Sequence, residues 1–218
     1  MLKISDLRVS IKSLVILRGV SIDASRGEIV GLIGRNGAGK TTTLKSVIGL
    51  LPARGGHIDF DGRDLLKVPA QHRAALGVGY MPEDRRLIPQ LTVEENILLP
   101  GWANGLTDAE ERLRRIYTEI PEVGALASRK TFQLSGGQQK LVALARALIV
   151  GTKLLLLDEP FEGLAPVLAR RVAQIVAGLK GAGLSILIAE SDLKHVARLA
   201  DRIYVMERGE IARNPDAG

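Results

Sequence analysis

The chain of 218 residues is 46% hydrophobic and 25% charged, which predicts one folded domain of moderate size and excludes a disordered chain. Its formal net charge is +6, but the basic residues are dispersed and only 3% of residues are aromatic, which argues against nucleic acid as a partner. There is no cysteine, no signal peptide and no apolar run near the ~20 residues of a membrane-spanning helix, which predicts a protein without disulfides that is cytoplasmic or bound to a membrane only through partners.

Two strand-like segments open the chain, at residues 7–11 and 20–24. Turn signals, in which arginine precedes glycine, occur at residues 18–19 and 26–27. This alternation predicts a small antiparallel sheet over residues 1–28, on one side of the main domain.

Short, continuous apolar runs recur through the rest of the chain. Each run is too short for a helix and too continuous for a half-exposed strand, which is typical of a parallel sheet covered on both faces. Helical patterns follow several runs, which predicts crossover connections and a doubly wound core. The runs are residues 29–33, 77–81, 154–157, 186–189 and 203–206.

Helix signals replace strand signals between about residues 82 and 150. One helix is predicted over residues 108–120, because Thr107 and Glu110 offer a capping box and Pro121 a stop. We expect a helical subdomain in this part of the chain.

A glycine-rich segment, GRNGAGKT at residues 34–41, fits the pattern G-x-x-x-x-G-K-[ST] between a predicted strand and a helical segment. Glycines let main-chain N–H groups curl around phosphate oxygens, and a helix N-terminus adds a favourable dipole. We expect Lys40 to reach the β- and γ-phosphates and the Thr41 hydroxyl to bind Mg²⁺. The predicted nucleotide-binding residues are Gly34, Asn36, Gly37, Ala38, Gly39, Lys40, Thr41 and Thr42. The alternative is a glycine-rich turn with a surface lysine, which this context disfavours.

The apolar run at residues 154–157 ends in two adjacent carboxylates, Asp158 and Glu159. Parallel strands end at the edge of the sheet where the phosphate loop also lies. We expect Asp158 to hold the Mg²⁺ shell through water, and Glu159 to polarise the attacking water as the general base. Polar residues after a buried strand are common, so this interpretation depends on the phosphate loop.

The segment LSGGQQ, at residues 134–139, precedes another helical pattern. Ser135 and Gln138 form a capping box, which is an ordinary helix start. The pair Gly136 and Gly137 nevertheless weakens the first turn by about 1 kcal/mol per residue, and exposed amides there suit a close approach by an anion.

In this order, GRNGAGKT, LSGGQQ and LLLLDEP resemble the nucleotide-binding subunits of ABC transporters over nearly the whole chain. The resemblance implies ATP and Mg²⁺ as cofactors and two subunits paired head to tail. In this family the LSGGQQ segment, here residues 134–139, is called the signature loop. The resemblance implies that the signature loop of each subunit closes over the ATP held by the other subunit. The residues that would make this contact across the dimer are Ser135, Gly136, Gly137 and Gln138.

The expected fold is a single α/β domain over residues 1–218, with a P-loop NTPase core of mostly parallel sheet between helices. An N-terminal antiparallel β-subdomain and the core occupy residues 1–83 and 151–218. An inserted α-helical subdomain, which carries the signature loop, occupies residues 84–150.

Four further segments are similar to the ATPases of branched-chain amino acid importers, and urea and short-amide importers share their pattern. The segments are MPEDRR (81–86), LTVEEN (91–96), EPFEGLAP (159–166) and DRIYVME (201–207). The resemblance implies a second ABC ATPase in a homo- or heterodimer, two membrane-spanning permease subunits and, indirectly, a solute-binding protein. It also implies a peripheral location on the cytoplasmic face of the cell membrane.

The chain departs from the family pattern at several sites. Glu83 stands where many members have glutamine, and we expect it near the γ-phosphate and the metal. Ser191 stands where most have a catalytic histidine; its hydroxyl can bond a phosphate oxygen but carries no charge. His195, one turn later, could substitute for that histidine, but a surface histidine on a helix is the favoured interpretation. Ile11 stands where an aromatic residue stacks on adenine, which predicts an aliphatic contact and weaker base selection.

Two alternatives stay open, together with the identity of the transported solute. A soluble ABC ATPase acting on DNA or ribosomes would carry a long coiled-coil insertion or a second cassette, and neither is evident. A regulatory nucleotide-binding subunit with low turnover is suggested by Ser191 and Ile11, whereas Glu159 argues against it. The chain also stops at Gly218, sooner than its relatives, which suggests that a terminal helix is missing.

Overall fold

Two β-sheets organise the chain in the computed structural model, which describes residues 1–213. The strands are β1 (Leu2–Ile11), β2 (Leu14–Ala24), β3 (Ile29–Ile33), β4 (Gly55–Phe60), β5 (Arg63–Asp64), β6 (Val78–Met81), β7 (Leu154–Asp158), β8 (Ser185–Glu190), β9 (Arg202–Glu207) and β10 (Glu210–Arg213). The helices are α1 (Lys40–Ile48), α2 (Ala70–Arg73), α3 (Val93–Ala103), α4 (Ala109–Glu119), α5 (Pro121–Gly124), α6 (Gly136–Leu148), α7 (Pro166–Gly181) and α8 (Leu193–Val196). The predicted α/β class is confirmed.

The larger sheet has the strand order β10-β9-β3-β8-β7-β6. All of its pairs are parallel except β9 with β10, which is antiparallel. Each predicted apolar run lies in one of these strands, so the prediction of a parallel core is confirmed. The carboxyl ends of β3, β6, β7 and β8 therefore meet at one edge of the sheet.

Hydrophobic cores cover both faces of this sheet, which explains why its strands read as continuous apolar runs. Leu155 and Leu157 of β7 pack in the core that contains α3, α6 and α7. Leu154 and Leu156 point to the opposite face and pack with α1 and the smaller sheet. Alternation with a period of two thus sends neighbouring leucines into different cores.

The smaller sheet is antiparallel, with the order β2-β1-β4-β5. The predicted N-terminal strands are confirmed and longer than expected, whereas β4 and β5 were not predicted. The turn predicted at residues 18–19 is wrong, since Gly19 lies inside β2 at a φ of 121°. A β-carbon at Gly19 would lie 2.6 Å from Asp6 Oδ1, so glycine serves an irregularity in the strand pair here.

Residues 82–150, all of which the structure describes, contain α3 to α6 and only one isolated β-bridge, which agrees with the predicted helical character. The helix predicted over residues 108–120 is confirmed as α4. Its capping box is wrong, because the helix begins one residue later than that box requires and no side chain caps it. The Asp108 carboxylate instead accepts a hydrogen bond from Arg112 Nε at 2.9 Å.

Within residues 1–213, none of the helices combines the length and the apolar character needed to cross a bilayer. The expectation about the end of the chain concerns residues 214–218, which lie outside the described part.

Candidate functional site

The phosphate-loop segment connects β3 to α1 at the carboxyl edge of the larger sheet. Gly37 and Gly39 adopt φ values of 83° and 115°, a region that glycine enters without steric cost. A β-carbon at Gly39 would also lie 2.7 Å from the side chain of Leu17. The loop therefore needs glycine to curl in front of the first turn of α1, where the free main-chain N–H groups favour anions.

Lys40, the first residue of α1, is buried with 5% of its surface exposed. Its Nζ donates a hydrogen bond to the Gly34 carbonyl at 2.7 Å and lies 3.1 Å from Glu159 Oε1. The two residues predicted to bind phosphate and activate water are thus in direct contact.

Asp158, at the end of β7, is fully buried and accepts two hydrogen bonds. Thr41 Oγ1 donates to its Oδ1 at 2.9 Å, and the Tyr80 hydroxyl donates to its Oδ2 at 3.0 Å. Burial raises the pKa of Asp158, although the bonds from Thr41 and Tyr80 oppose that rise. Tyr80 was missed in the sequence because its contact with β7 depends on the pairing of β6 with that strand.

Glu159 follows Asp158 in the left-handed region, at a φ of 48°. Its Oε2 accepts hydrogen bonds from the main-chain N–H of Ser191 at 3.1 Å and from the Ser191 Oγ at 3.0 Å. Burial raises the pKa of Glu159, but hydrogen bonding with Glu190 and the nearby Lys40 ammonium outweigh it, so the pKa lies below its ordinary value. The carboxyl group is therefore held as an anion against the phosphate loop.

Glu190 lies behind Glu159 at the end of β8 and was also missed in the sequence. It is 1% exposed, and its Oε1 accepts a hydrogen bond from the main-chain N–H of Phe161 at 2.9 Å. Burial, together with the negative charge of Glu159, raises the pKa of Glu190 to about 8. The two neighbouring carboxyl groups thus have pKa values shifted in opposite directions.

His195 does not behave as the simple surface histidine that the sequence predicted. Its Nδ1 is buried, makes no hydrogen bond among the described residues, and lies 3.7 Å from Glu190 Oε2. The imidazole ring packs against Phe161 with a centroid separation of 5.3 Å. With 37% of its side chain exposed, His195 does lie at the surface of α8, but its Nδ1 faces inward toward Glu190.

A cavity of about 410 Å³ at this edge is lined by most of the predicted nucleotide-binding residues, but not by Gly34 or Ala38. It is lined by Ile16, Asn36, Gly37, Gly39, Lys40, Thr41, Thr42, Glu83 and Glu159. Ile11, which was predicted to contact the base, is not in this lining and is 43% exposed at the end of β1. Ile16, in β2, is the aliphatic residue at the cavity wall.

The signature loop forms the N-terminus of α6. Ser135 Oγ accepts from the Gln138 N–H at 3.3 Å and Gln138 Oε1 accepts from the Ser135 N–H at 3.0 Å, which confirms the capping box. None of the four predicted trans-contact residues lines the cavity beside Lys40. The signature loop of one chain therefore lies outside the wall of that chain's own cavity beside Lys40.

The donor set at the site suits a magnesium ion bound together with phosphates. Among residues 1–213 there is no cluster of three or more His, Cys, Asp or Glu that could hold a metal. Mg²⁺ commonly takes one or two protein ligands and completes its shell with water and substrate phosphates. The Thr41 hydroxyl and the Asp158 carboxylate, 2.9 Å apart beside the cavity, fit that pattern.

Comparison with known proteins gives consistent matches over most of the chain. The family model described as ABC transporter matches residues 17–162. The high-affinity branched-chain amino acid transport ATP-binding protein BraG of Pseudomonas aeruginosa is 36% identical, covering 89% of this chain and 84% of its own. The lipopolysaccharide export system ATP-binding protein LptB of Escherichia coli K12 is 33% identical, covering 94% of this chain and 86% of its own.

Solved structures match over nearly the full length. The ADP conformation of MJ1267, an ATP-binding cassette of an ABC transporter, has a TM-score of 0.85 and 30% identity, covering 97% of this chain and 89% of its own. Dimeric MJ0796, a bacterial ABC transporter cassette, has a TM-score of 0.88 and 27% identity, covering 98% and 97% respectively.

Proposed function

Because the chain belongs to the ABC transporter family, we propose that it drives an importer of branched-chain amino acids or related small polar solutes. The chain is an ATPase subunit of an ABC transporter.

One observation carries the catalytic part of the proposal: the cavity in front of α1 is lined by Lys40, Thr41 and Glu159. A triphosphate in this cavity would accept hydrogen bonds from the loop amides and from the Lys40 ammonium. Glu159 would hold the attacking water and accept its proton. Ser191 would keep the Glu159 carboxylate oriented, as its two hydrogen bonds to Oε2 suggest.

Mg²⁺ would be held by the Thr41 hydroxyl and by Asp158, with Glu83 at the cavity wall as a further contact. Such an ion neutralises negative charge that develops on the phosphate oxygens. Tyr80 would fix the Asp158 carboxylate through its hydrogen bond to Oδ2.

The assembly would be a dimer with composite sites. The signature loop is absent from the wall of the chain's own cavity, and the relative MJ0796 is described as dimeric. We propose that Ser135, Gly136, Gly137 and Gln138 contact the nucleotide held by a second ABC ATPase. The dimer would bind two permease subunits on the cytoplasmic face of the membrane, with a solute-binding protein acting on their far side.

Import is favoured over export by the four segments that resemble branched-chain amino acid importers, and by the BraG match. The LptB match raises a second candidate, an ATPase subunit of an export system, at 33% identity. The cargo would be chosen by the membrane subunits. Purification of the chain from native membranes, followed by identification of its companions, distinguishes the two: a solute-binding protein supports import, and its absence beside an export permease contradicts it.

Steady-state ATP hydrolysis with Mg²⁺ tests the catalytic assignment. Glu159→Gln should lower turnover by about 10²-fold or more while the affinity for ATP persists, because only the general base is lost. Lys40→Ala should weaken ATP binding itself, because it removes the cation at the phosphates. If the wild type is no faster than Glu159→Gln, the chain is a low-turnover regulatory subunit and the catalytic assignment is wrong.

A further inference from the structure

A buried lysine connects α6, the helix that begins at the signature loop and is called the signature helix below, to the loop that carries Glu159. Lys140, in α6, is 6% exposed. Its Nζ donates hydrogen bonds to the main-chain carbonyls of Glu159 at 2.6 Å and of Glu162 at 2.5 Å. The sequence did not single out this residue.

The environment of Lys140 is unusual for an ammonium group. Burial of a charge is costly unless hydrogen bonds compensate for the lost water. Among the described residues 1–213, Nζ of Lys140 donates its hydrogen bonds to two main-chain carbonyls of one loop and forms no salt bridge. Burial lowers the pKa of Lys140, while the nearby charges of Glu162 and Glu190 oppose that change. The lysine therefore serves the geometry of this loop rather than an ion pair.

The loop needs anchors because Glu159 adopts a φ of 48°, a region that non-glycine residues rarely occupy. Two of the anchors come from β8 and the residue after it. Glu190 accepts from the Phe161 N–H, and Ser191 donates to the Glu159 carboxylate. Lys140 is the anchor that comes from α6, the helix that begins with the signature loop.

We propose that Lys140 is a positioning residue for hydrolysis, which sets the orientation of Glu159 according to the position of the signature helix. The inference rests on the proposed function, in which the signature loop contacts nucleotide on a second subunit. Because α6 is a continuous helix of 13 residues that begins next to Ser135, a shift of its N-terminus would move Lys140 and the Glu159 carbonyl to which it donates. Each subunit would thus link the nucleotide site of its partner, which its signature loop contacts, with its own nucleotide site, where its Glu159 acts.

The first measurement separates kcat from KM. Lys140→Met keeps the length of the side chain but removes the donors, and should lower kcat by about 10- to 100-fold, because small misplacement of a catalytic group has such effects. KM and the Kd for Mg-ATP should stay within about twofold, and Lys140→Arg should restore most of kcat, because it keeps a cationic donor. If Lys140→Met does not fold, Lys140→Gln, which keeps one donor group, is measured in its place.

Arg112→Met is the matched control. Arg112 also donates to a carbonyl of the α6 region, that of Ile149 at 2.9 Å, but at the end of the helix away from Glu159. It should lower stability without changing kcat. A decrease in kcat in Arg112→Met as large as that in Lys140→Met overturns the proposal.

A double variant tests whether Lys140 acts through Glu159. In the Glu159→Gln background, Lys140→Met should reduce the residual single-turnover rate by less than about twofold, because the group that it positions is already gone. Multiplicative losses overturn the inference, as does wild-type kcat in Lys140→Met alone. A different result contradicts the proposed function itself. If the wild type is no faster than Glu159→Gln, the catalytic assignment of Glu159 is wrong, and so is the role of Lys140.

Discussion

At the scale of single residues, the site shifts the pKa values of two neighbouring carboxyl groups, those of Glu159 and Glu190, in opposite directions. Glu159 contacts the Lys40 ammonium and the Ser191 donors, which stabilise its charged form. Glu190 is buried and faces Glu159, which stabilises its neutral form. The neutral carboxyl group of Glu190 can donate a hydrogen bond to the Glu159 carboxylate, while its Oε1 accepts one from the main-chain N–H of Phe161. Environment alone therefore gives two glutamates different protonation states.

This difference predicts how stability depends on pH. The pKa of Glu190 rises from its ordinary 4.5 to about 8, so the native state holds this proton more tightly than the unfolded state. The contribution of Glu190 is fully present below about pH 4.5 and is lost as pH rises through 8. Glu190→Gln mimics the neutral acid and should remove this loss. The free energy of unfolding, measured in urea at pH 5.5 and 8.5 for both proteins, reports this loss of stability.

The groups facing Glu190 are Glu159 on the β7 loop, Lys140 on α6 and His195 on α8. The pKa of Glu159 lies below its ordinary value, so this group stays ionised at both pH values and the comparison of wild type with Glu190→Gln reports on Glu190. Equal changes of unfolding free energy with pH in the two proteins contradict the assignment of the raised pKa to Glu190.

At the scale of elements, α6 carries a second cation that holds a strained loop. Arg146 donates to the carbonyl of Arg86 at 2.6 Å and to that of Arg85, and both of these residues have positive φ values, 61° for Arg85 and 49° for Arg86. This loop follows β6 and contains Glu83, which lines the nucleotide cavity. Through Lys140 and Arg146, one helix therefore supports the two loops that contain Glu159 and Glu83, both of which line the cavity in front of α1.

Removal of the Arg146 guanidinium should destabilise the protein. Arg146→Met leaves two carbonyls of a strained loop without their donor, and should lower the free energy of unfolding by about 2–3 kcal/mol. Urea denaturation measures the change, with the exposed Arg114→Met on α4 as the control. A loss below about 0.5 kcal/mol, the usual limit for surface changes, contradicts the role of this contact.

At the scale of the whole molecule, the parallel sheet gathers the site at one edge and leaves the signature loop elsewhere. Residues from β6, β7, β8 and α1 meet there because parallel strands end on the same side. The signature loop opens α6, and its residues are not in the wall of that cavity. In the proposed dimer, a second chain would supply this loop.

Nucleotide-dependent association tests this arrangement. Glu159→Gln with Mg-ATP should elute at twice the mass of the chain in size exclusion with light scattering, because bound ATP is not consumed and bridges both loops. Without nucleotide, and for Lys40→Ala with nucleotide, the chain should be monomeric. A dimer that forms equally well without ATP, or no dimer in any condition, contradicts the composite site.

The sequence by itself determined the phosphate loop, the Asp158-Glu159 pair, the capped start of α6 and the parallel strands. These features are local, because a strand buried on both faces must be apolar along its length and a phosphate-binding loop must contain glycine at fixed positions. Local patterns failed at Gly19, where a glycine serves a strand irregularity, and at Thr107, where a favourable cap pattern does not start a helix.

Only the tertiary structure decided the roles of Tyr80, Lys140 and Glu190. Their hydrogen-bond partners lie 78, 19 and 29 residues away along the chain, at Asp158, Glu159 and Phe161. The spacing of residues in the sequence does not predict such contacts, because they form only when the strands pair and α6 packs beside the sheet. A polar side chain that is largely removed from water must find its partners in three dimensions, and for these residues that requirement places them around Asp158 and Glu159.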